Sequence, residues 1–188
     1  MPNSISGSVC DTLNIDALKT GMPGITPNIG AVYEEAAITC LEEAGHASGV
    51  DMNIDGDSIL TMTVIWTKEG DAGQIARAWN DKDVAVEYGA YGIAALLVDS
   101  MTEYTVVERS QKGTGIDYWL GKKGSNEPLF QKKARLEVSG IRKGDDRNIT
   151  ARTHAKEKQI APSDGSLPGI VVVVEFSAPR ARMRTKNA

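Results

Sequence analysis

Aromatic residues make up only 5% of this 188-residue chain, cysteine and histidine occur twice each, and no apolar run is long. Scarce aromatics predict an aliphatic core. Cys10 and Cys40 stand apart with no CxxC spacing, so both read as free thiols and no disulfide framework is in view. The longest apolar runs, residues 93–98 and 170–174, fall far short of the roughly 18 residues of a membrane span, which points away from an integral membrane protein. The opening Met1-Pro2-Asn3-Ser4-Ile5-Ser6 has no basic segment followed by an apolar stretch. The expectation is therefore no secretory signal and a cytoplasmic location. Glycine, by contrast, is plentiful at 19 residues, and predicts many tight turns. With 41% hydrophobic and 24% charged residues, composition excludes collagen, coiled coil and bulk disorder. It fits one ordinary globular unit, with or without an appended subdomain.

The net charge of −4 hides a split. Residues 1–110 carry 5 basic and 17 acidic side chains, net −12, whereas residues 111–188 carry 16 and 8, net +8. Either one side of the molecule faces a polyanion, or two solvated faces attract each other within the chain or across a dimer.

No repeat of fixed period interrupts the chain. Residues 1–28, rich in Gly, Pro, Ser, Asn and Asp, predict extended or loop structure. In residues 30–45 the apolar Val32, Ala36, Ala37, Cys40, Leu41 and Ala44 recur at three and four, with glutamates opposite and Gly45 as the stop. That is a helix. Residues 50–54 and 58–66 alternate around Gly56-Asp57 and predict a hairpin. Residues 1–70 are thus read as an acidic N-terminal extension or subdomain, and residues 71–188 as an α/β core with a basic C-terminal tail. Residues 71–102 predict helix in two pieces, the second long and apolar, with Asp81 or Asp83 as its N-cap. Extended runs follow at 104–108, 115–120 and 134–141. A helix over 146–160 opens with Asp145-Asp146, and a valine-rich run over 169–177 has the pattern of a strand buried on both faces.

Asp117 falls in the second of these extended runs, and Asp is a poor strand former. With period two, Gly115, Asp117 and Trp119 share one face, opposite Ile116, Tyr118 and Leu120. In the next run Arg135, Glu137 and Ser139 share a face. Two carboxylates on consecutive strands can converge on a site for Mg²⁺ or Mn²⁺, which bind through one or two carboxylates and keep waters. They can equally pair with nearby Lys or Arg.

The order helix, three strands, helix, strand over residues 83–177, with Asp117 in the second strand and Glu137-Val138-Ser139 in the third, resembles the PD-(D/E)XK, or restriction-endonuclease-like, superfamily. The resemblance covers a little over half the chain. It implies an α/β restriction-endonuclease-like core carrying an N-terminal helix-plus-hairpin extension, with residues 71–188 as the nuclease-like unit. It makes Asp117 and Glu137 the ligands of Mg or Mn and puts Ser139 where the superfamily has lysine. Some members bring that lysine from the following helix. Lys156, Arg152 and His154 are the residues available there, and helical spacing places Arg152 and Lys156 on one face. Glu87, on the stripe of Ala90, Ala94 and Leu97, matches an acid that many members carry in the first helix.

The activity implied is that of a divalent-metal-dependent nuclease or nuclease-like phosphodiesterase in phage defence, restriction or repair. The catalytic set is Asp117, Glu137, Ser139, Lys156 and Glu87. The alternative is a catalytically inactive protein of the same fold, serving as a structural or regulatory subunit of a larger complex. Nine basic residues against four acids within 131–160 suit a phosphate backbone. Lys132, Lys133, Arg135, Arg142, Lys143 and Arg152 are the nucleic-acid-binding candidates, with DNA ahead of RNA as partner. A homodimer or a partner subunit would supply specificity that so short a chain lacks. His46 follows a helix end, His154 has no Cys or His at zinc spacing, and Asp55-Gly56-Asp57 is too short for a calcium loop.

Overall fold

Helix starts in this chain carry their own caps. Thr26 accepts from the Ile29 amide at 3.3 Å ahead of Pro27, opening helix α1 (Pro27–Glu43). Asp71 caps the short α2 (Ala72–Ala78), and Asp81 accepts from the amides of Asp83 and Val84 to open α3 (Lys82–Met101). Asp145 and Asn148 form a reciprocal capping box at the start of α4 (Asp146–Ile160). The structure, a computed structural model, describes residues 12–124, 126, 128–161 and 167–186. Cys10 and the expectations placed on residues 1–11 lie outside them.

Among the described residues eight strands form one mixed sheet: β1 (Thr12–Asn14), β2 (Val50–Gly56), β3 (Leu60–Ile65), β4 (Tyr104–Arg109), β5 (Tyr118–Lys122), β6 (Ala134–Ile141), β7 (Gly169–Glu175) and β8 (Arg180–Lys186). Their spatial order is β1-β3-β2-β8-β7-β6-β5-β4. β4, β5 and β6 run as an antiparallel meander. β7 lies parallel to β6, with α4 as the crossover. The fold is therefore mixed α/β. Between β1 and α1 the chain makes a 3₁₀ turn (Ile15–Thr20) where extended or loop structure was expected.

The largest departure from the sequence expectation is β8. Read as a basic tail, it is an interior strand, antiparallel to β7 on one side and parallel to β2 on the other. It thereby fuses the N-terminal hairpin to the rest as a single sheet. The alternation was there: Ala181 and Met183 enter the main core, while Arg180, Arg182 and Arg184 face the other way. On that side Arg182 pairs with Asp55 and Asp146, Arg180 with Asp146, and Arg184 with Glu157. Part of the charge split is thus neutralised inside the molecule.

The two faces of the sheet differ in kind. One is aliphatic and covered by α1 and α3, with Leu136, Val138, Ile170, Val172 and Val174 buried beneath them. By length and composition α3 is apolar enough to cross a membrane, at mean hydropathy 1.3, which uninterrupted runs alone do not reveal. Two thirds of that stretch (67%) is buried inside the molecule. The opposite face, under α4, carries only a small apolar cluster of Ile116, Ile141, Ile149, Ile160, Val171 and Val173. Around it lie the buried polar residues Arg135, Glu137, Ser139 and Glu175.

Candidate active site

The register between β5 and β6 brings the two expected carboxylates together. Tyr118 pairs with Leu136 and Trp119 with Arg135, so Asp117 comes opposite Glu137 on the face beneath α4. Asp117 is not in mid-strand, as the sequence suggested, but is the residue through which the chain enters β5. Gly113 and Gly115 take positive φ (95° and 76°) just before it and turn the chain. Ile116 consequently joins the cluster under α4 rather than sharing the face of Tyr118 and Leu120.

Asp117 is held at both oxygens. Oδ2 accepts from the Val138 amide at 2.8 Å and Oδ1 from the Tyr91 hydroxyl at 3.1 Å. The same Tyr91 hydroxyl lies 2.8 Å from Glu87 Oε1, so one proton is shared between two carboxylates. Tyr91 was not among the sequence candidates; its signal was the four-residue helical spacing from Glu87. Glu87 itself is exposed at the rim of the cleft, not turned into the apolar side as its stripe predicted. The close approach of α3 to β6 depends on Gly140, where a Cβ would lie 2.5 Å from the Val86 carbonyl oxygen.

Glu137 is 1% exposed. Its Oε1 accepts from Lys156 Nζ at 2.5 Å, and its Oε2 is buried with no hydrogen-bond partner among the described residues. Burial and the negative charge of Asp117 push its carboxyl up to about 7, against the pull of Lys156. Burial, reinforced by Asp117 and Glu87, also raises the Tyr91 hydroxyl above its ordinary value, which keeps it a proton donor. Ser139 stands two residues beyond Glu137 and its Oγ accepts from Arg152 Nη1 at 3.0 Å. Arg152 and Lys156, one turn apart on α4, thus both reach down onto β6. Behind the site, Arg109 stacks 4.7 Å from the Tyr91 ring centroid and donates to the hydroxyls of Tyr33 and Tyr118 at 2.7 and 2.9 Å.

One open cleft of about 680 Å³ is lined by Glu87, Tyr91, Asp117, Glu137, Ser139 and Lys156, with Arg142, Lys143 and Arg152 also in its walls. Three of the other basic candidates sit elsewhere. Arg135 is 1% exposed and donates to the carbonyls of Ile160 and Leu167, so it ties down the end of α4 and cannot meet a phosphate. Lys132 pairs with Glu108 and lies over the Trp119 ring, and Lys133 is half-buried outside the cleft. His154 is exposed, pairs with Glu157 and faces a different pocket.

Among the described residues no three His, Cys, Asp or Glu side chains converge as a ready metal cage. The donor set at the cleft is two carboxylates, one with a buried oxygen lacking a partner. That fits a hard cation which takes one or two carboxylates and keeps waters, and it does not fit zinc. In comparisons with known proteins no family model matches the chain, and neither a curated protein nor a solved structure does so.

Proposed function

We propose that the chain is a divalent-metal-dependent nuclease or nuclease-like phosphodiesterase, with this cleft as its active site. The observation that carries the reading is the apposition of Asp117 and Glu137, with one Glu137 oxygen bare and the other on Lys156. Like charges are not brought together under a helix without a cation to separate them or a proton to share. The order α3, β4, β5, β6, α4, β7 corresponds to the arrangement that the PD-(D/E)XK resemblance implies. Lys156, coming from α4, brings an ammonium group to the neighbourhood that Ser139 cannot serve.

Asp117 and Glu137 would hold Mg²⁺ or Mn²⁺, with Glu87 in support at the rim. When bound, such an ion activates water and neutralises charge on the scissile phosphate. Lys156 supplies a positive charge beside the reacting group, and Arg152 and Lys143 hold the phosphate at the mouth of the cleft. Nucleic acid, DNA ahead of RNA, is the substrate this reading takes, in the setting of phage defence, restriction or repair.

A second reading, an inactive fold serving as a structural or regulatory subunit, rests on Ser139 and on Lys156 being already engaged by Glu137. The test is cleavage of linear, circular and single-stranded DNA, and of RNA, in Mg²⁺ or Mn²⁺ by wild type and by Asp117→Ala/Glu137→Ala. Degradation by wild type alone is expected. Equal activity in both moves the reaction to another site, and none in either favours the subunit.

A further inference from the structure

A second cavity, of about 490 Å³, adjoins the cleft and shares Val86, Arg142 and Lys143 with it. It lies between the end of α1, the first turn of α3 and the β6–α4 connection. Its walls carry three cations, Lys82, Arg142 and Lys143, and one carboxylate, Glu43. Its floor is apolar, formed by Ala85, Val86 and the buried Cys40. Burial pushes the Cys40 thiol up to about 12, which makes it a wall and not a nucleophile.

Glu43 is engaged by two of the three cations. Its Oε1 accepts from Lys82 Nζ at 2.5 Å, and its Oε2 lies 3.9 Å from Arg142 Nη2. Lys82 is also fixed by the Trp79 carbonyl at 2.8 Å, so its ammonium is held in place by a group that a ligand would not displace. The side chains of Lys82 and Glu43 are 28% and 34% exposed, open enough for an arriving anion to exchange with the carboxylate.

We propose that this cavity is the subsite for the nucleotide adjoining the cleaved phosphodiester, with Lys82 and Arg142 taking its phosphate and Glu43 holding their place until it arrives. The proposal rests on the nuclease reading above. One observation and two chemical arguments support it. The cavity adjoins the cleft through Val86, Arg142 and Lys143, which line both, so a strand lying across Asp117 and Glu137 meets it at the Arg142-Lys143 edge. A phosphodiester carries the same charge as the carboxylate it displaces and likewise offers two anionic oxygens to an arginine fork. The apolar floor gives a nucleoside a surface to cover beside its phosphate, as mixed apolar and polar ligand sites do.

The placeholder role has an unusual sign. Removing an acid that merely stabilises the fold would weaken binding or leave it alone. Removing a competitor strengthens it. The experiment is fluorescence anisotropy of a short labelled single-stranded DNA with wild type, Glu43→Gln, Lys82→Gln and Lys82→Arg, with the melting temperature of each recorded. The expected order of affinity is Glu43→Gln, wild type, Lys82→Gln, with Lys82→Gln weaker by on the order of tenfold and Lys82→Arg restoring most of the loss. Binding by Glu43→Gln no tighter than wild type, binding by Lys82→Gln no weaker, or no binding by wild type overturns the subsite. Absence of metal-dependent cleavage by a wild type that shows the expected order sinks the nuclease reading instead.

Discussion

Two glutamates lie beneath α4 on neighbouring strands, each 1% exposed, and they have opposite surroundings. Glu175, at the end of β7, is saturated. Its Oε1 accepts from the amides of Gly144 and Ser177 and from the Ser177 hydroxyl, and its Oε2 accepts from the Ala178 amide at 2.9 Å. Glu137, on β6, has Lys156 on one oxygen, no hydrogen-bond partner for the other among the described residues, and the Asp117 carboxylate beside it. The first shapes the turn between β7 and β8. The second keeps a buried oxygen with no hydrogen-bond partner among the described residues, and its carboxyl is pushed up to about 7.

The comparison is sharpest in stability. Glu175→Ala strips four donors of their acceptor and should cost on the order of 4 kcal/mol, read by urea unfolding. Glu137→Gln keeps an acceptor for Lys156 and removes the negative charge that burial and Asp117 disfavour, and should stay within about 1 kcal/mol of wild type without metal. Equal losses at both positions would erase the distinction. Activity should reverse the ranking: at Glu175→Gln cleavage survives in proportion to the folded fraction, whereas Lys156→Ala lowers the cleavage rate by about 100-fold with the fold intact.

Tyr91→Phe removes the hydroxyl that Asp117 and Glu87 share. It should weaken Mn²⁺ binding about tenfold in calorimetry while moving the melting temperature little. The last contrast is in pH. The Glu137 carboxyl rises from 4.5 in the unfolded chain to about 7 in the folded one, so between those values the native state holds the extra proton. Stability without metal should therefore fall as pH rises through that window, and Glu137→Gln should flatten the fall. Mg²⁺, which needs the ionised carboxylates, should raise the melting temperature more at about pH 8 than at about pH 5.

Much of this site was legible in the chain, and the reasons are local. Period two placed Glu137 and Ser139 on one face, and four-residue spacing placed Arg152 and Lys156 on one side of α4; both patterns survive folding because they depend only on backbone geometry. Arg135 was misread because charge on a strand says nothing about what covers it. Here two backbone carbonyls stand ready to receive a guanidinium, and the residue is interior. β8 was misread for the same reason, its three arginines masking the alternation with Ala181 and Met183. Tyr91 and the Glu43–Lys82 contact depend on how α1, α3 and β5 pack together, and that packing brings together residues up to 39 positions apart. No spacing along the chain encodes such a meeting.

The central claim is that Asp117 and Glu137 together form a divalent-cation site. Titration calorimetry with Mn²⁺ on wild type and on Asp117→Asn, at matched folded fraction, tests it directly. A saturable site in wild type that vanishes in Asp117→Asn is the predicted result. No binding by wild type, or the same binding by both, would contradict it.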